Sequence, residues 1–288
     1  MANTINKFAK YINLLDEVYQ EASLTSVLDG DAALTSAGAN ANELVIPKLE
    51  MDGLANYDRA GGYVEGDVRL TSETVKFNYD RGRAFSVDSM DDEETAGVAF
   101  GRLSSEFIRT KTVPEMDAFR FATYAAKATN SGSATFEDGE AVIAALRAAT
   151  SKMDADEVPY EERYLFISPV VYGQVQDLDE TKSRAVLSRF DKIIMVPQSR
   201  FYNSIELLDG ATDGQTAGGF MKSSDAKELN FMIIHKGAVI QYPKHTVNKV
   251  IRPEDNQKAD AWKFYFRAYG LADVYENRMA GIYAHMKA

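Results

Sequence analysis

Few residues in this chain combine the type and the spacing that chemistry needs. The three histidines are His235, His245 and His285, which the surrounding pattern places at a strand end, in a loop and in the C-terminal tail. None has a second histidine or a carboxylate at a metal-ligand spacing, so no zinc centre and no oriented general base is assembled from the sequence. There is no cysteine, which excludes thiolate nucleophiles, iron–sulfur clusters, cysteine zinc sites and disulfides. A nucleophile elbow, a phosphate loop and a dinucleotide fingerprint are all missing.

Two charged groupings deserve a chemical reading. Asp91, Asp92, Glu93 and Glu94 form a run of carboxylates with Asp88 just before it. A calcium loop spaces its oxygens around a tight glycine turn, and no glycine interrupts this run. A helix start accounts for it better, because carboxylates there face the positive end of the macrodipole. Arg81, Gly82 and Arg83 have the make-up of a phosphate cradle, but they can equally pair with the acidic helix start just downstream, and the second reading is preferred. The sequence therefore supplies no catalytic, cofactor-binding or metal-binding residue, and the expectation is a chain that is not an enzyme and needs no cofactor.

The bulk composition agrees with a folded, non-catalytic body. The 288 residues carry 43 acidic and 32 basic side chains, a net charge of −11. Such an excess repels a polyanion and disfavours a protein that grips nucleic acid through its phosphates. An apolar fraction of 45% with 11% aromatics is ample for a core, and the length fits one large or two modest domains. No block near the N-terminus has the apolar run of a signal peptide. No stretch reaches the roughly 18 apolar residues of a membrane span.

The elements that would position any functional residue follow from periodicity. Ile5, Phe8, Ile12, Leu15 and Tyr19 recur at helical spacing, and the Ala-, Asn-, Ser- and Gly-rich stretch after them reads as an extended connector. From Glu43 the period changes to two, with Val45, Pro47, Leu49 and Met51, then Val68, Leu70, Val75, Phe77 and Tyr79. This predicts a long two-stranded ribbon over 43–83 with a polar tip, Pro47 on an edge, and a turn or crossing at Thr71, Ser72 and Glu73. A lone ribbon is marginal in water, so it must lie on something else.

A capping box at Ser89–Asp92 then opens a long helix to about residue 128, kinked or restarted at Pro114, where Thr112–Glu115 can recap it. Beyond it come a helix carrying Val142, Leu146, Ala149 and Met153, a strand at Tyr164–Ile167, and a short helix from Ser168 and Pro169. A helix follows at Lys182–Phe190, with strands at Ile193–Val196, Leu229–Ile234 and Val247–Ile251. The flexible loop Asp209–Gly219 carries four glycines. In the tail, Trp262, Phe264 and Phe266 face one way and Lys263, Tyr265 and Arg267 the other.

Particular residues give this pattern a family. Asp80-Arg-Gly-Arg-Ala-Phe-Ser-Val-Asp88, Met90-Asp-Asp-Glu-Glu-Thr95, Phe107-Ile-Arg-Thr110 and Val113-Pro-Glu-Met-Asp117 resemble the major capsid proteins of tailed bacteriophages. Asn230–Val239 and Asn277–Tyr283 look like the same family. The resemblance implies the α+β Hong Kong 97-type capsid fold, also used by encapsulins and herpesvirus shells. It implies an N-terminal arm (1–42), an extended β-hairpin loop (43–83) and a long spine helix with part of a peripheral domain (84–129). An axial domain (130–245) and C-terminal strands returning to the peripheral domain (246–288) complete it.

The implied function is a head protein that self-assembles through hexamers and pentamers into an icosahedral shell around double-stranded phage DNA. An encapsulin-type nanocompartment shell is the alternative, and a soluble α+β hydrolase a remote one. The implied partners are further copies of itself, a scaffolding protein, a portal and a decoration protein, with DNA enclosed but not read. The implied location is the virion, assembled in the bacterial cytoplasm, with no membrane involved. Expected inter-subunit contacts are Tyr57, Arg59, Tyr63 and Arg69 on the ribbon, Arg81 and Arg83 after it, and Asp209, Gly210, Gly214 and Gly218 in the loop. Relatives that crosslink covalently use a lysine and an asparagine; Lys76 lies in the ribbon but no partner for it is identifiable, so that chemistry is not carried over.

Overall fold

A computed structural model describes residues 23–30, 36–37, 43–94, 98–178 and 180–288. The helix expected over residues 5–20, and most of the connector after it, lie outside these. The strands and helices run β1 (Ser36–Ala37), β2 (Glu43–Met51), β3 (Val68–Lys76), β4 (Tyr79–Asp88), α1 (Ser89–Glu94), α2 (Val98–Phe107) and α3 (Val113–Lys127). Then come β5 (Asn130–Ser133), α4 (Gly139–Ala155), β6 (Arg163–Ile167), α5 (Pro169–Gln176), α6 (Glu180–Leu187) and β7 (Lys192–Met195). The last are β8 (Ile205–Leu207), β9 (Phe220–Lys222), β10 (Leu229–His235), β11 (Val239–Ile251), β12 (Ala261–Val274) and β13 (Ile282–Met286).

The ribbon is β2 paired antiparallel with β3, from Glu43 opposite Lys76 to Met51 opposite Val68. It is shorter than the expected 43–83. Tyr79 onward leaves it, because β4 pairs with β12 in a different sheet, where Tyr79 finds a buried place against the helix. Thr71, Ser72 and Glu73 are not a turn. They sit inside β3, opposite Lys48, Pro47 and Ile46, and the polar residues simply face solvent. Pro47 lies on the outer of the two ribbon strands, opposite Ser72, and the described β1 residues pair only with Leu44 and Val45.

The long strands form a three-stranded sheet, β11-β12-β4. Its inner face, Tyr79, Phe264, Phe266 and Ala268, packs on Ile108, Val113 and Met116 of the helix. Pro114 does not interrupt that helix. Residues Ile108–Thr112 form a π turn and Thr112 keeps helical dihedrals (φ −67°, ψ −51°) with no capping side chain. Proline lacks an N–H and crowds the carbonyl four residues back. A single wide turn absorbs both defects without ending the helix, and the Thr110 hydroxyl donates to the Glu106 carbonyl at 2.6 Å. At the other end, Ser89 is the first helical residue rather than the cap. Asp88 supplies the cap, its Oδ1 accepting from the Met90 N–H at 3.0 Å.

The second body is a five-stranded sheet ordered β5-β13-β10-β6-β7. Its central strands read as unbroken apolar runs because both faces are covered. Leu165, Ile167, Phe231 and Ile233 pack on Val142, Leu146, Ala149 and Met153 of α4. Tyr164, Phe166, Met232 and Ile234 pack on Phe121 and Tyr124 of α3. Helix α5 begins as its residues dictate, with Ser168 as cap and proline in the first turn. The tail departs from expectation at its end. Residues 282–286 do not stay with the long strands; β13 enters the five-stranded sheet between β10 and β5, where Ile282 and Ala284 are buried.

His285 lies on β13 between the rings of Phe136 (4.9 Å) and Phe231 (4.7 Å), and burial pushes its pKa down to about 4. The unfolded imidazole titrates near 6.5, so between about pH 6.5 and 4 the unfolded chain binds the extra proton and stability falls with pH. A loss of about 3 kcal/mol is expected across that window, at about 1.4 kcal/mol per pH unit. Denaturant melts at pH 7 and pH 4 check it. His285→Gln should flatten that part of the profile; an unchanged slope would show that other groups set it.

Candidate functional site

Three surfaces gather the residues that the sequence singled out. The first is the ribbon and its tip. Asp58 folds the tip on itself, its carboxylate accepting from the Ala60 and Gly61 N–H groups. Asp52 Oδ2 accepts from the Asp67 N–H at 2.8 Å. Tyr57 and Tyr63 meet edge to face at 4.8 Å and both remain exposed. Arg59 is exposed, and Arg69 pairs with Asp67 at 3.1 Å.

The register adds what the sequence reading missed. Leu49 lies opposite Leu70 and Met51 opposite Val68. All four therefore share one face, and they are 55%, 73%, 66% and 65% exposed. Glu50 and Arg69 occupy the other face. An apolar face displayed on a narrow ribbon marks an interaction surface. The alternation was visible in both strands; the pairing that merges them into one patch was not. At its base the ribbon is fixed by Leu44 and Val75 against Ile240 and Leu271. Lys48 Nζ reaches Glu276 at 3.9 Å. Burial, followed by the Glu276 carboxylate, raises the pKa of Glu73 beside it.

The second surface unites Arg81, Arg83 and the glycine-bearing loop. The side chains of residues 92–94 of the acidic run lie outside those described, and both arginines reach the loop. Arg81 Nε donates to Glu115 at 2.8 Å, and its Nη2 donates to the carbonyls of Leu208 (2.7 Å) and Gly219 (3.2 Å). Arg83 Nη2 donates to the Thr216 carbonyl at 3.1 Å. The backbone of the loop, not a phosphate, thus satisfies these guanidinium groups. Gly210 (φ +76°) and Gly218 (φ +67°) need the left-handed region, and a Cβ on Gly210 would stand 2.6 Å from Arg83 Nη1. Gly214 turns the loop at its far end with φ +81°. Asp209 accepts from the Thr212 hydroxyl and from the Ala211 and Thr212 N–H groups, which hold its carboxyl down at about 2. Between β4, the helix and this loop lies a cleft of about 950 Å³. Four carboxylates line it, each with a partner: Glu115 accepts from Arg81 and the Tyr79 hydroxyl, Asp80 from Arg267, Glu106 from Arg109, and Asp209 from Thr212.

The third surface holds residues 23–30, which periodicity did not single out. Asp117 of α3 is fully buried. Its carboxylate accepts from the Ser23 hydroxyl (3.1 Å), the Leu24 N–H (3.1 Å), the Thr25 hydroxyl (2.7 Å) and Arg200 Nη1 (3.0 Å). Arg120 Nη1 donates to the same Thr25 oxygen at 2.7 Å. Gln241 Nε2 donates to the Thr25 carbonyl and to Asp29, while its Oε1 accepts from the Tyr124 hydroxyl. Leu28 fills an apolar socket beneath. Residues 23–30 are therefore anchored by charge-assisted hydrogen bonds to the spine. Among the described residues no group of three or more His, Asp or Glu could hold a metal ion, and no helix is long and apolar enough to cross a membrane.

No family model matches the sequence, and no curated protein matches it. Solved structures do. A chain from Gordonia phage Cozz superposes with a TM-score of 0.61 at 10% identity, covering 92% of this chain and 86% of that one. The bacteriophage PhiM1 mature capsid gives 0.56 at 12% identity, over 88% and 84%. A virus-like particle from Pyrococcus furiosus gives 0.56 at 10% identity, over 94% and 95%. At such identities the likeness is one of fold. The chain has the α+β Hong Kong 97-type capsid fold expected from its residues.

The Asp117 anchor predicts a specific instability. Asp117→Ala leaves Arg200 and the donors of residues 23–25 without their acceptor, which should cost about 3–5 kcal/mol. Denaturant melts read the loss, and limited proteolysis should move its first cut into residues 23–30. Asp117→Asn, which keeps one acceptor oxygen, should fall between the two.

Proposed function

We propose that this chain is a phage major capsid protein, a shell subunit that self-assembles through hexamers and pentamers into an icosahedral head around double-stranded DNA. The observation that carries the reading is the apolar face formed by Leu49, Met51, Val68 and Leu70, displayed on a ribbon of a capsid-fold chain. A subunit that buried these residues within itself would not need a neighbour. This one presents them outward, and repeated head-to-tail contacts close into rings and shells when the rotation allows. Many modest contacts per subunit, made together, give the assembly its durability.

In this reading residues 1–42 are the arm and the ribbon is the extended loop. Helices α1, α2 and α3, with the long-strand sheet, form the spine and peripheral domain, and the five-stranded sheet forms the axial domain. Tyr57, Arg59, Tyr63 and Arg69 contact the neighbouring subunit. Asp209, Gly210, Gly214 and Gly218 shape a loop near the ring axis, held from behind by Arg81 and Arg83. Further copies of the chain, a scaffolding protein, a portal and a decoration protein are its partners. The chain assembles in the host bacterial cytoplasm and works in the virion. The net charge of −11 suits a container whose DNA must slide in and leave again. An encapsulin-type shell is the second reading, favoured by the fit to the Pyrococcus furiosus particle over 94% of this chain. The phage capsids among the solved neighbours favour the head protein. A hydrolase has no support from the occupied cleft at Glu115.

Electron microscopy of the purified chain, alone and with a scaffold, tests the proposal: closed particles are expected, and monomers under every condition would overturn it. Nucleic acid or cargo protein inside isolated particles separates the two shell readings. Leu49→Lys combined with Leu70→Lys places like charges directly opposite on the apolar face. Particles should be lost while the melt of the free chain shifts by no more than about 0.5 kcal/mol per exposed substitution.

A further inference from the structure

The chain carries five Asp–Gly dipeptides, beginning at Asp29, Asp52, Asp138, Asp209 and Asp213. This dipeptide has a chemistry of its own. The glycine nitrogen attacks the aspartate Cγ and closes a succinimide ring, because no Cβ on the glycine obstructs the approach. Closure needs a carboxyl free to turn toward its own backbone, a glycine N–H not engaged elsewhere, and room for the ring.

The fold withholds these conditions from four of the pairs. Asp29 accepts from Gln241 Nε2 at 2.7 Å, and the Gly30 N–H is engaged by the Gln241 carbonyl at 3.1 Å. Asp138 caps α4, its Oδ1 accepting from the Ala141 N–H at 2.8 Å, and a Cβ on Gly139 would stand 2.1 Å from the Gln174 carbonyl oxygen. Asp52 is tied twice to Asp67, its N–H donating to the Asp67 carbonyl at 3.1 Å and its Oδ2 accepting from the Asp67 N–H at 2.8 Å. Asp209 accepts from the Thr212 hydroxyl and from the Ala211 and Thr212 N–H groups. Those bonds hold its pKa down at about 2 and keep it ionised, and a carboxylate is a poorer electrophile than a carboxylic acid.

Asp213 differs on each count. It and Gly214 are the central residues of a turn closed by the Gln215 N–H on the Thr212 carbonyl at 2.9 Å. Among the described residues the Asp213 carboxylate makes no hydrogen bond or ion pair, and the Gly214 N–H makes no hydrogen bond. Both residues are exposed. No atom lies within 4 Å of the place a Cβ on Gly214 would take. The loop is held at its flanks instead, by Arg81 on the carbonyls of Leu208 and Gly219 and by Arg83 on that of Thr216.

We propose that Asp213–Gly214 is the ageing site of this chain, where aspartate converts to isoaspartate while the other four pairs persist. The Gly214 nitrogen forms a bond to Asp213 Cγ, and the amide proton leaves with the carboxyl hydroxyl as water. A second water opens the ring. Attack at the side-chain carbonyl restores aspartate. Attack at the main-chain carbonyl routes the backbone through Cβ and Cγ, one methylene longer, and leaves the α-carboxylate as a side branch. One water leaves and one enters, nothing is oxidised or reduced, and the charge is kept. The new α-carboxylate is the group that an isoaspartyl methyltransferase esterifies, taking the methyl from S-adenosylmethionine and releasing S-adenosylhomocysteine. The aged loop is therefore a substrate for that class of enzyme, and the fresh loop is not. None of this chemistry depends on assembly into a shell.

The test ages the full purified chain for weeks at mildly acidic pH and 37 °C, once folded and once in guanidinium chloride. Peptide mapping locates isoaspartate, and a purified isoaspartyl methyltransferase with labelled S-adenosylmethionine counts it. In the folded chain Asp213 should carry at least tenfold more isoaspartate than each of the other four sites. In guanidinium chloride, where only the dipeptide matters, that preference should fall below threefold. Asp213→Glu keeps the charge, but its longer side chain closes a ring far more slowly, so methyl acceptance by the aged folded chain should drop at least fivefold. A different pair leading in the folded chain, or no isoaspartate in it, would overturn the assignment. So would a preference for Asp213 that survives unfolding, or methyl acceptance that Asp213→Glu leaves unchanged.

Discussion

Helix α3 touches everything that gives this subunit its shape. One of its sides, with Val113 and Met116, lies on the long-strand sheet. Another, with Phe121 and Tyr124, closes the five-stranded sheet. Phe119 packs against both clusters and meets Tyr79 at 5.1 Å. Asp117, between these faces, takes hold of residues 23–25. A helix that is apolar on two sides and carries a buried acid on a third can have only one placement, since any rotation exposes Phe121 or strands the carboxylate without its donors. The π turn before Pro114 belongs to the same constraint, because it lets one helix reach from the β4 cleft to the five-stranded sheet without a break.

With the body settled internally, two surfaces are left over. The ribbon presents an apolar face that its own chain does not cover, and the outer face of the long-strand sheet presents cations and tyrosines. Enzymes concentrate their unusual chemistry in a cleft. The cleft between β4, the helix and the loop is lined by an arginine–glutamate pair and by loop carbonyls that accept from that arginine.

The acidic net charge takes on a definite role in this setting. It is a general repulsion between copies of the chain, to which the cationic outer face of the long-strand sheet is a local exception. Arg81 and Arg83 each donate to carbonyls of the loop between β8 and β9 and so tie it to β4.

Period and punctuation along the chain were enough to determine the kind of elements and their order. The alternation at Trp262–Arg267 specified a strand with one buried face, and the spacing of Val142, Leu146, Ala149 and Met153 specified a helix with one buried stripe. The 80–117 block specified the fold family. Periodicity is a local property, so these features survive without knowledge of partners. Pairing is not local. That Leu49 meets Leu70, that Tyr79 abandons the ribbon for β12, that Ile282–Met286 crosses to the five-stranded sheet, and that Asp117 seeks Thr25 across 92 residues depend on which surfaces come together in three dimensions. Pro114 shows the same divide: its missing N–H was legible, but only packing on both sides of the helix decided that the chain would widen there and continue.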